Sequence, residues 1–336
     1  MSLTRYAAVH QSPQGPGDAR PSALQVLCDE SLDSGLLTGK KIFITGVSSG
    51  LGAETVKVLF LTGATLFLTA RDLDRAKQVL GKELTGSSRV HLMPLDLGSL
   101  ESVRACAEVF KEQGGDTLNI FIANAGTMAT PEGRTKDGFE TQFGTNHLGH
   151  FLLFTLLRPA LLKGSATGIE SRVVFVSSLG HRFGEVRFDD YNFEANAYDP
   201  WIAYGQSKTA NLWTANEVDR RYNKRGIRAF SVQPGGVVET RLLKHVSEDK
   251  RKAMINDPSL KSRLKNTKQG AATIVWAAVS KSLDGLGGKY LEDIQVAQAW
   301  KPEDGPWGLG YAPYAYSPEK ERRLWELSLK LVRAEE

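Results

Sequence analysis

The chain predicts an α/β fold: a doubly wound parallel sheet of about seven strands, with helices on both faces, forming a single domain. Short apolar runs alternate with helical-period stretches of ten or more residues from Lys41 to Val279. The runs are apolar throughout rather than every second residue, which suits strands buried on both faces. No linker interrupts the alternation, and 336 residues fit one α/β domain.

Composition removes several function classes. The formal charge of +4, from 42 basic and 38 acidic residues, supplies no polyanion-binding surface, so nucleic acid is not an expected partner. Cys28 and Cys106 are the only cysteines. They make neither a disulfide framework nor a zinc cluster; no metal is expected, and a reducing, cytoplasmic setting is. Residues 1–20 are polar, with Pro13, Gly15, Pro16 and Gly17, and lack the apolar stretch of a secretory signal. The most apolar run, Phe151 to Leu157, is closed by Arg158 and Pro159 and is too short to span a bilayer. A soluble enzyme without a membrane anchor is therefore expected.

Residues 1–38 read as an N-terminal arm, a Pro/Gly segment followed by a short helix over Ala23 to Leu32. The catalytic domain occupies 39–300. Its strands are expected at Lys41–Thr45, Thr65–Thr69, Val90–Met93, Leu118–Ala123, Arg172–Ser177 and Ile227–Val232. Helices are expected over Leu51–Leu61, up to Leu84, Leu100–Gln113, Gly138–Leu157, Ala203–Tyr222 and Gln269–Val279. The extension 301–336 ends in an amphipathic helix, with Ser317 as N-cap and Pro318 at the first position. Its Leu324, Trp325, Leu327 and Leu331 need a surface to pack on.

The first strand runs into Gly46-Val47-Ser48-Ser49-Gly50-Leu51-Gly52 and then directly into a helix. Glycines there let the backbone turn sharply and approach a pyrophosphate, whose charge meets the N–H groups of the helix start. Between a first strand and a first helix, such a turn marks a Rossmann-type dinucleotide site, although the spacing of its last two glycines differs from the usual fingerprint. The second strand ends in Arg71, where an acidic residue would select NAD. A guanidinium clamps a 2′-phosphate instead, so NADP(H) is the expected cofactor; the alternative is a solvated arginine ahead of the cap Asp72. Ser48 adds a hydroxyl to that site. After the third strand, Asp96, with Leu97, either meets the adenine or caps the helix that follows Ser99.

Tyr204 and Lys208 stand four apart at the start of a long helix, on one face. A free phenol has a pKa of about 10, and a nearby ammonium favours its phenolate, tuning it for acid/base work. Ser177 and Ser178 end a strand, where a hydroxyl can donate to a substrate oxygen that is becoming an alkoxide. Asn124, Ala125 and Gly126 follow another strand end. Asn146 is a helical asparagine, costly to bury unless its amide is satisfied. His147, His150 and His181 read as structural or solvated rather than catalytic.

The ordered set TGVSSGLG, ANAG, NHLGHF, VSS, YGQSK and PGG resembles the short-chain dehydrogenase/reductase family over about residues 38–295. Within it the chain is similar to the branch of retinol dehydrogenases and WW-domain-containing oxidoreductases, to which Gln269–Ala272 and Gly287–Leu291 also correspond. The resemblance implies Tyr204 as proton donor or acceptor, Lys208 as its activator, Ser178 as the donor to the substrate oxygen, and Asn146 as keeper of a relay water. It implies that Asn124 steadies the sheet beside the cofactor and that the backbone of Pro234, Gly235 and Val237 meets the nicotinamide carboxamide. Three departures stand out. Ser178 precedes Tyr204 by 26 residues, a long gap for the family. Thr240 lies six positions past Pro234 rather than five, so it is not carried over as a contact. The arm has no hydrophobic anchor.

Substrate loops are expected at 180–203 and 240–268. The first carries Phe183, Phe188, Tyr191, Phe193, Tyr198 and Trp201. These rings either wall a pocket for a bulky apolar or aromatic molecule or anchor a long loop. The second is charged and stands where the family has a mobile lid. Trp307, Tyr311, Tyr314 and Tyr316 would pack on the cleft or on a second subunit, and a homodimer is compatible with this sequence. The expected activity is reduction of a ketone or aldehyde, or oxidation of the secondary alcohol. The alternative is a catalytically silent NADP(H)-binding sensor or scaffold; a sugar-nucleotide epimerase fits the glycine spacing poorly.

Overall fold

A computed structural model of the chain describes residues 2–335. Eight strands form one sheet in the order β3-β2-β1-β4-β5-β6-β7-β8. They are β1 Lys41–Thr45, β2 Thr65–Ala70, β3 Val90–Pro94, β4 Ile120–Ala123, β5 Ser171–Val176, β6 Ile227–Gln233, β7 Lys289–Glu292 and β8 Gln295–Val296. β1 to β7 run parallel and β8 pairs antiparallel to β7. The order reverses between β1 and β4, and in open α/β sheets the crevice at that reversal, at the carboxyl ends, is where ligands bind.

The sheet is one strand larger than the expected seven. Asp293 and Ile294 both take positive φ, 49° and 57°, and fold β8 back on β7 through a two-residue turn. A two-residue strand is too short to show a period, and no glycine marks its turn.

Among the described residues nine helices have seven residues or more: α1 Ala23–Asp29, α2 Gly50–Phe60, α3 Leu73–Leu80, α4 Leu100–Gly114, α5 Gly149–Ser165, α6 Pro200–Tyr222, α7 Glu248–Asn256, α8 Ala272–Val279 and α9 Pro318–Val332. One face of the sheet packs on α4, α5, α6 and α9; the other packs on α1, α2, α3 and α8. Alternate strand residues serve the two layers, Phe43, Phe67, Phe121 and Phe175 on the first and Ile42, Leu66, Ile122 and Val174 on the second. Phe121 meets Phe43 and Phe175 edge to face at 5.9 and 6.3 Å, a geometry worth about 0.5–1.5 kcal/mol per pair beyond area burial.

The helix expected over 138–157 begins later and differently. Phe143–Leu148 forms a π turn that leads into α5. The buried Glu140 carboxylate accepts from the N–H groups of Gln142 and Phe143 at 2.8 and 2.6 Å, closing its start. π turns inside helices are frequent at functional sites.

The arm lies on the second layer, with Val26 and Leu27 fully buried beside α8. The C-terminal helix α9 lies across α6: Trp325 meets Phe151, Phe154 and Tyr222 at 5.0, 6.1 and 6.3 Å. Ser317 makes no side-chain cap there; its N–H instead donates to Glu321, which also accepts from Asn216 of α6 at 2.7 Å. No helix among the described residues is long and apolar enough to cross a membrane.

Candidate active site

Two positions of the turn after β1 and the helix start have room only for glycine. A Cβ on Gly46 (φ 75°) would come within 2.7 Å of Ala125, and one on Gly52 within 2.2 Å of the Gly46 carbonyl oxygen. Helix α2 starts at Gly50 after extended Ser49, which makes no side-chain cap, whereas α3, α4 and α6 are capped by Asp72, Ser99 and Asp199. Uncapped N–H groups at a helix start on a tight glycine cradle fit a dinucleotide pyrophosphate, with Ser48, Ser49 and Leu51 around them.

Arg71 is exposed at the end of β2. Arg75, which sequence reasoning passed over, sits one turn into α3 and donates through Nε to the Ser48 carbonyl at 3.2 Å. Arg71 and Arg241 both depress the Lys244 ammonium pKa, behind the larger effect of burial, so cations from two segments share this rim. A 2′-phosphate fits that charge. Asp96 accepts from the Gly98 N–H at 3.0 Å while Ser99 caps α4, which removes the capping alternative for Asp96. Leu97 is buried beside it.

Behind the cradle, a buried network joins β1, β4 and α5. Thr45 Oγ1 accepts from the N–H groups of Asn124 and Ala125, both at 3.0 Å, and lies 2.8 Å from His150 Nε2. With two donors already on its oxygen, Thr45 gives its proton to Nε2. Nδ1 then carries the hydrogen and donates to the Asn146 carbonyl at 2.9 Å. Burial lowers the His150 pKa to about 4, in keeping with this neutral tautomer. Asn124 donates its amide to the carbonyls of Thr45 and Gly46 at 2.8 and 3.2 Å. Thr45 and His150 lie inside the TGVSSGLG and NHLGHF motifs, but their joint part in shaping the site shows only in their contact across 105 residues.

The buried Asn146 amide uses both of its N–H groups: it donates to the Thr127 carbonyl and to Ser207, both at 2.9 Å, and accepts from the Thr127 N–H at 2.8 Å. It pins the turn at Gly126 to α6. One acceptor site of the Asn146 amide oxygen is left over from this pinning.

Tyr204 and Lys208 lie in the first turns of α6, 3% exposed each, with Lys208 Nζ 5.6 Å from the Tyr204 ring centre. Lys208 donates to the Val176 carbonyl at 2.9 Å, and Ser178 stands close enough to the Tyr204 phenol to favour its ionised form. Ser177 is turned away, donating to the Lys208 carbonyl at 2.8 Å. His181 accepts from the Ala312 N–H at 3.0 Å and therefore donates through Nδ1 to the Ser178 carbonyl at 2.7 Å, fixing that strand end. Gly180 allows the approach of the phenol, since a Cβ there would stand 2.7 Å from the Tyr204 ring.

Burial sets the charges. It pushes the Tyr204 phenol up to about 12, with Ser178 opposing, and pulls Lys208 down to about 7. The protein alone thus holds the phenol protonated, and a positive charge beside it is needed to lower its pKa.

The loop rings divide. Phe188 stacks on Trp213, Tyr191 packs on Phe143, and Tyr198, edge-on to Phe193, donates to the Thr130 carbonyl at 3.1 Å and accepts from Gln142 at 3.0 Å, so these anchor the loop. Trp201 instead joins Tyr204, Met128, Ala129, Leu242, Leu243 and Val246 in an apolar cluster, with Phe183 edge-on to it at 6.1 Å. Leu242, Leu243 and Val246 belong to the second expected loop, which folds as a short 3-10 turn and α7. In the extension, Tyr314 donates to the His181 carbonyl at 2.8 Å and Trp307 to Asp257 at 3.0 Å, so both are occupied within this chain.

Pro234, Gly235 (φ 99°) and Val237 follow β6, and Thr240 stands beside Gly50. The segment is held by Lys265, which sequence reasoning did not single out; its ammonium lies 3.3 Å from the Pro234 carbonyl.

The family model for short chain dehydrogenases matches residues 40–251. The chain is 43% identical over 333 residues to the short-chain dehydrogenase/reductase prx1 of Penicillium roqueforti, covering 99% of this chain and 96% of that one. It is 34% identical over 324 residues to the WW domain-containing oxidoreductase of Pongo abelii, covering 94% and 72%. A crystal structure of an uncharacterized protein from Mycobacterium Paratuberculosis superposes with a TM-score of 0.66 at 30% identity, covering 89% and 95%. With a family model spanning well over half its length, the chain belongs to the short-chain dehydrogenase/reductase family of oxidoreductases.

Proposed function

We propose that this chain is an NADP(H)-dependent reductase of a ketone or aldehyde on a bulky, apolar or aromatic small molecule, also able to oxidise the corresponding secondary alcohol. The observation that carries this is the buried meeting of the Tyr204 phenol with Ser178 and Lys208 at the carboxyl end of β5, facing an apolar wall led by Trp201.

The cofactor would be held by Gly46, Ser48, Ser49, Gly50, Leu51 and Gly52 at its pyrophosphate, by Arg71 with Arg75 at its 2′-phosphate, and by Asp96 and Leu97 near its adenine. Asn124, Ala125, Gly126, Pro234, Gly235 and Val237 would line its nicotinamide half. When bound it supplies the hydride and, oxidised, a positive charge.

The chain's own residues handle the proton. Ser178 donates to the substrate oxygen and holds it within reach of the phenol. Tyr204 gives that oxygen its proton in reduction and removes it in oxidation. Lys208, anchored on the Val176 carbonyl, places a cation where it favours the phenolate. Asn146 holds Thr127, next to Gly126, against Ser207 of α6 beside that ammonium.

Loss of NADPH absorbance with a panel of aryl ketones and aliphatic aldehydes tests the reading. NADPH consumption with at least one bulky ketone is expected. Tight NADPH binding without turnover on the whole panel, in either direction, would instead leave a cofactor-binding scaffold.

A further inference from the structure

We propose that Lys265 is a positioning residue for the nicotinamide half of the cofactor, and that the N-terminal arm helps hold it in place. The inference rests on the assignment of the Pro234–Val237 backbone to the carboxamide made above.

Lys265 is 2% exposed, although it lies in a charged stretch of the chain. Its ammonium makes two contacts, both to strand-end turns. It donates to the Pro234 carbonyl at 3.3 Å and pairs with Asp293 Oδ1 at 2.5 Å. Its stem lies on Gly235, where a Cβ would come within 2.9 Å of Cδ. Its own N–H donates to the Gly236 carbonyl at 2.9 Å. One residue thus fixes three successive members of the turn after β6 against the hairpin after β7.

Burying an ammonium is costly unless it is paired and hydrogen-bonded. A core position needing only bulk would be filled more cheaply by leucine. Asp293 is suited to its part because it sits at φ 49°, which Asp and Asn tolerate better than other side chains. Across the same turn, the buried Arg20 guanidinium donates to the carbonyls of Arg263 and Leu264 at 2.9 and 2.6 Å. Gln269 ties the arm down again through the Gly17 N–H at 2.9 Å and the Arg20 carbonyl at 3.1 Å. The arm therefore braces the segment whose lysine grips the Pro234 carbonyl. A displaced carbonyl there rotates the adjoining peptide groups, which are the ones assigned to the carboxamide.

The test compares wild type with Lys265→Met and with Lys265→Met/Asp293→Asn, which restores neutrality and keeps a residue suited to φ 49°. Melting temperature, affinities for NADPH and for adenosine 2′,5′-bisphosphate, and ketone kinetics are read on each. The double variant is expected to melt near wild type. Its NADPH affinity falls about tenfold, the loss of one charged hydrogen bond. Its affinity for the bisphosphate, which lacks the nicotinamide, is unchanged. kcat falls while the ketone KM holds. Equal weakening of both ligands, or unchanged NADPH binding and kcat, overturns the inference. A wild type that neither binds NADPH nor reduces any carbonyl overturns the underlying assignment instead.

Discussion

Thr45 and Thr69 face each other in register on β1 and β2, and both are buried. The Thr45 hydroxyl holds the N–H groups of Asn124 and Ala125 and the ring nitrogen of His150. The Thr69 hydroxyl has no hydrogen-bond partner among the described residues. Thr45→Val keeps the shape and strands three polar groups, each costing about 1–3 kcal/mol when left dry. Asn124 and Ala125 are only half-buried, so water recovers part of that. The expected loss is about 2–4 kcal/mol out of a typical total of about 5–15. Thr69→Val gives up no bond and should change stability by less than about 0.5 kcal/mol, or raise it. Urea unfolding of cofactor-free protein, with m held constant, measures both. Thr45→Val should also weaken NADPH binding, because the Ala125 turn is released. Equal shifts for the two variants would refute the proposed network.

Three further predictions follow from the site. Burial depresses Lys208 to about 7, so below its unfolded pKa of about 10.5 the unfolded chain carries the extra proton, and stability rises with pH from about 7 toward 10. Lys208→Met should flatten that rise by up to about 1.4 kcal/mol per pH unit, and urea midpoints at pH 7, 8 and 9 that keep the wild-type slope would contradict it. Arg71→Asp should lower the NADPH-to-NADH ratio of kcat/KM by at least about tenfold, a ratio that stays put if Arg71 is merely solvated. Trp201→Ala should raise KM for bulky aryl ketones by about tenfold while sparing small aldehydes; parallel changes in both would place Trp201 outside the pocket.

The parts of this molecule that were legible in its sequence are the local ones. Six strands of the central sheet, the glycine turn after β1 and the Tyr204/Lys208 pair each rest on spacing within a few residues. The parts that escaped depend on distant contacts. Arg20 meets carbonyls 243 and 244 residues away, so the arm reads as loose although it is tied down. His150 resembles any helical histidine until Thr45, 105 residues earlier, is placed against its ring. The hairpin at Asp293 and Ile294 lacks a glycine, and Ile294 holds a positive φ that its side chain disfavours. The six loop rings were divisible only by their partners, since Trp201 faces Tyr204 while Phe188 faces Trp213.

The central claim is that the Tyr204 hydroxyl moves the proton. Single-turnover oxidation of bound NADPH by a ketone substrate, in wild type and in Tyr204→Phe, addresses it most directly. The account predicts that the variant binds NADPH as tightly as wild type and reacts at least about a hundredfold more slowly. A variant that binds the cofactor normally and turns over at the wild-type rate would contradict it.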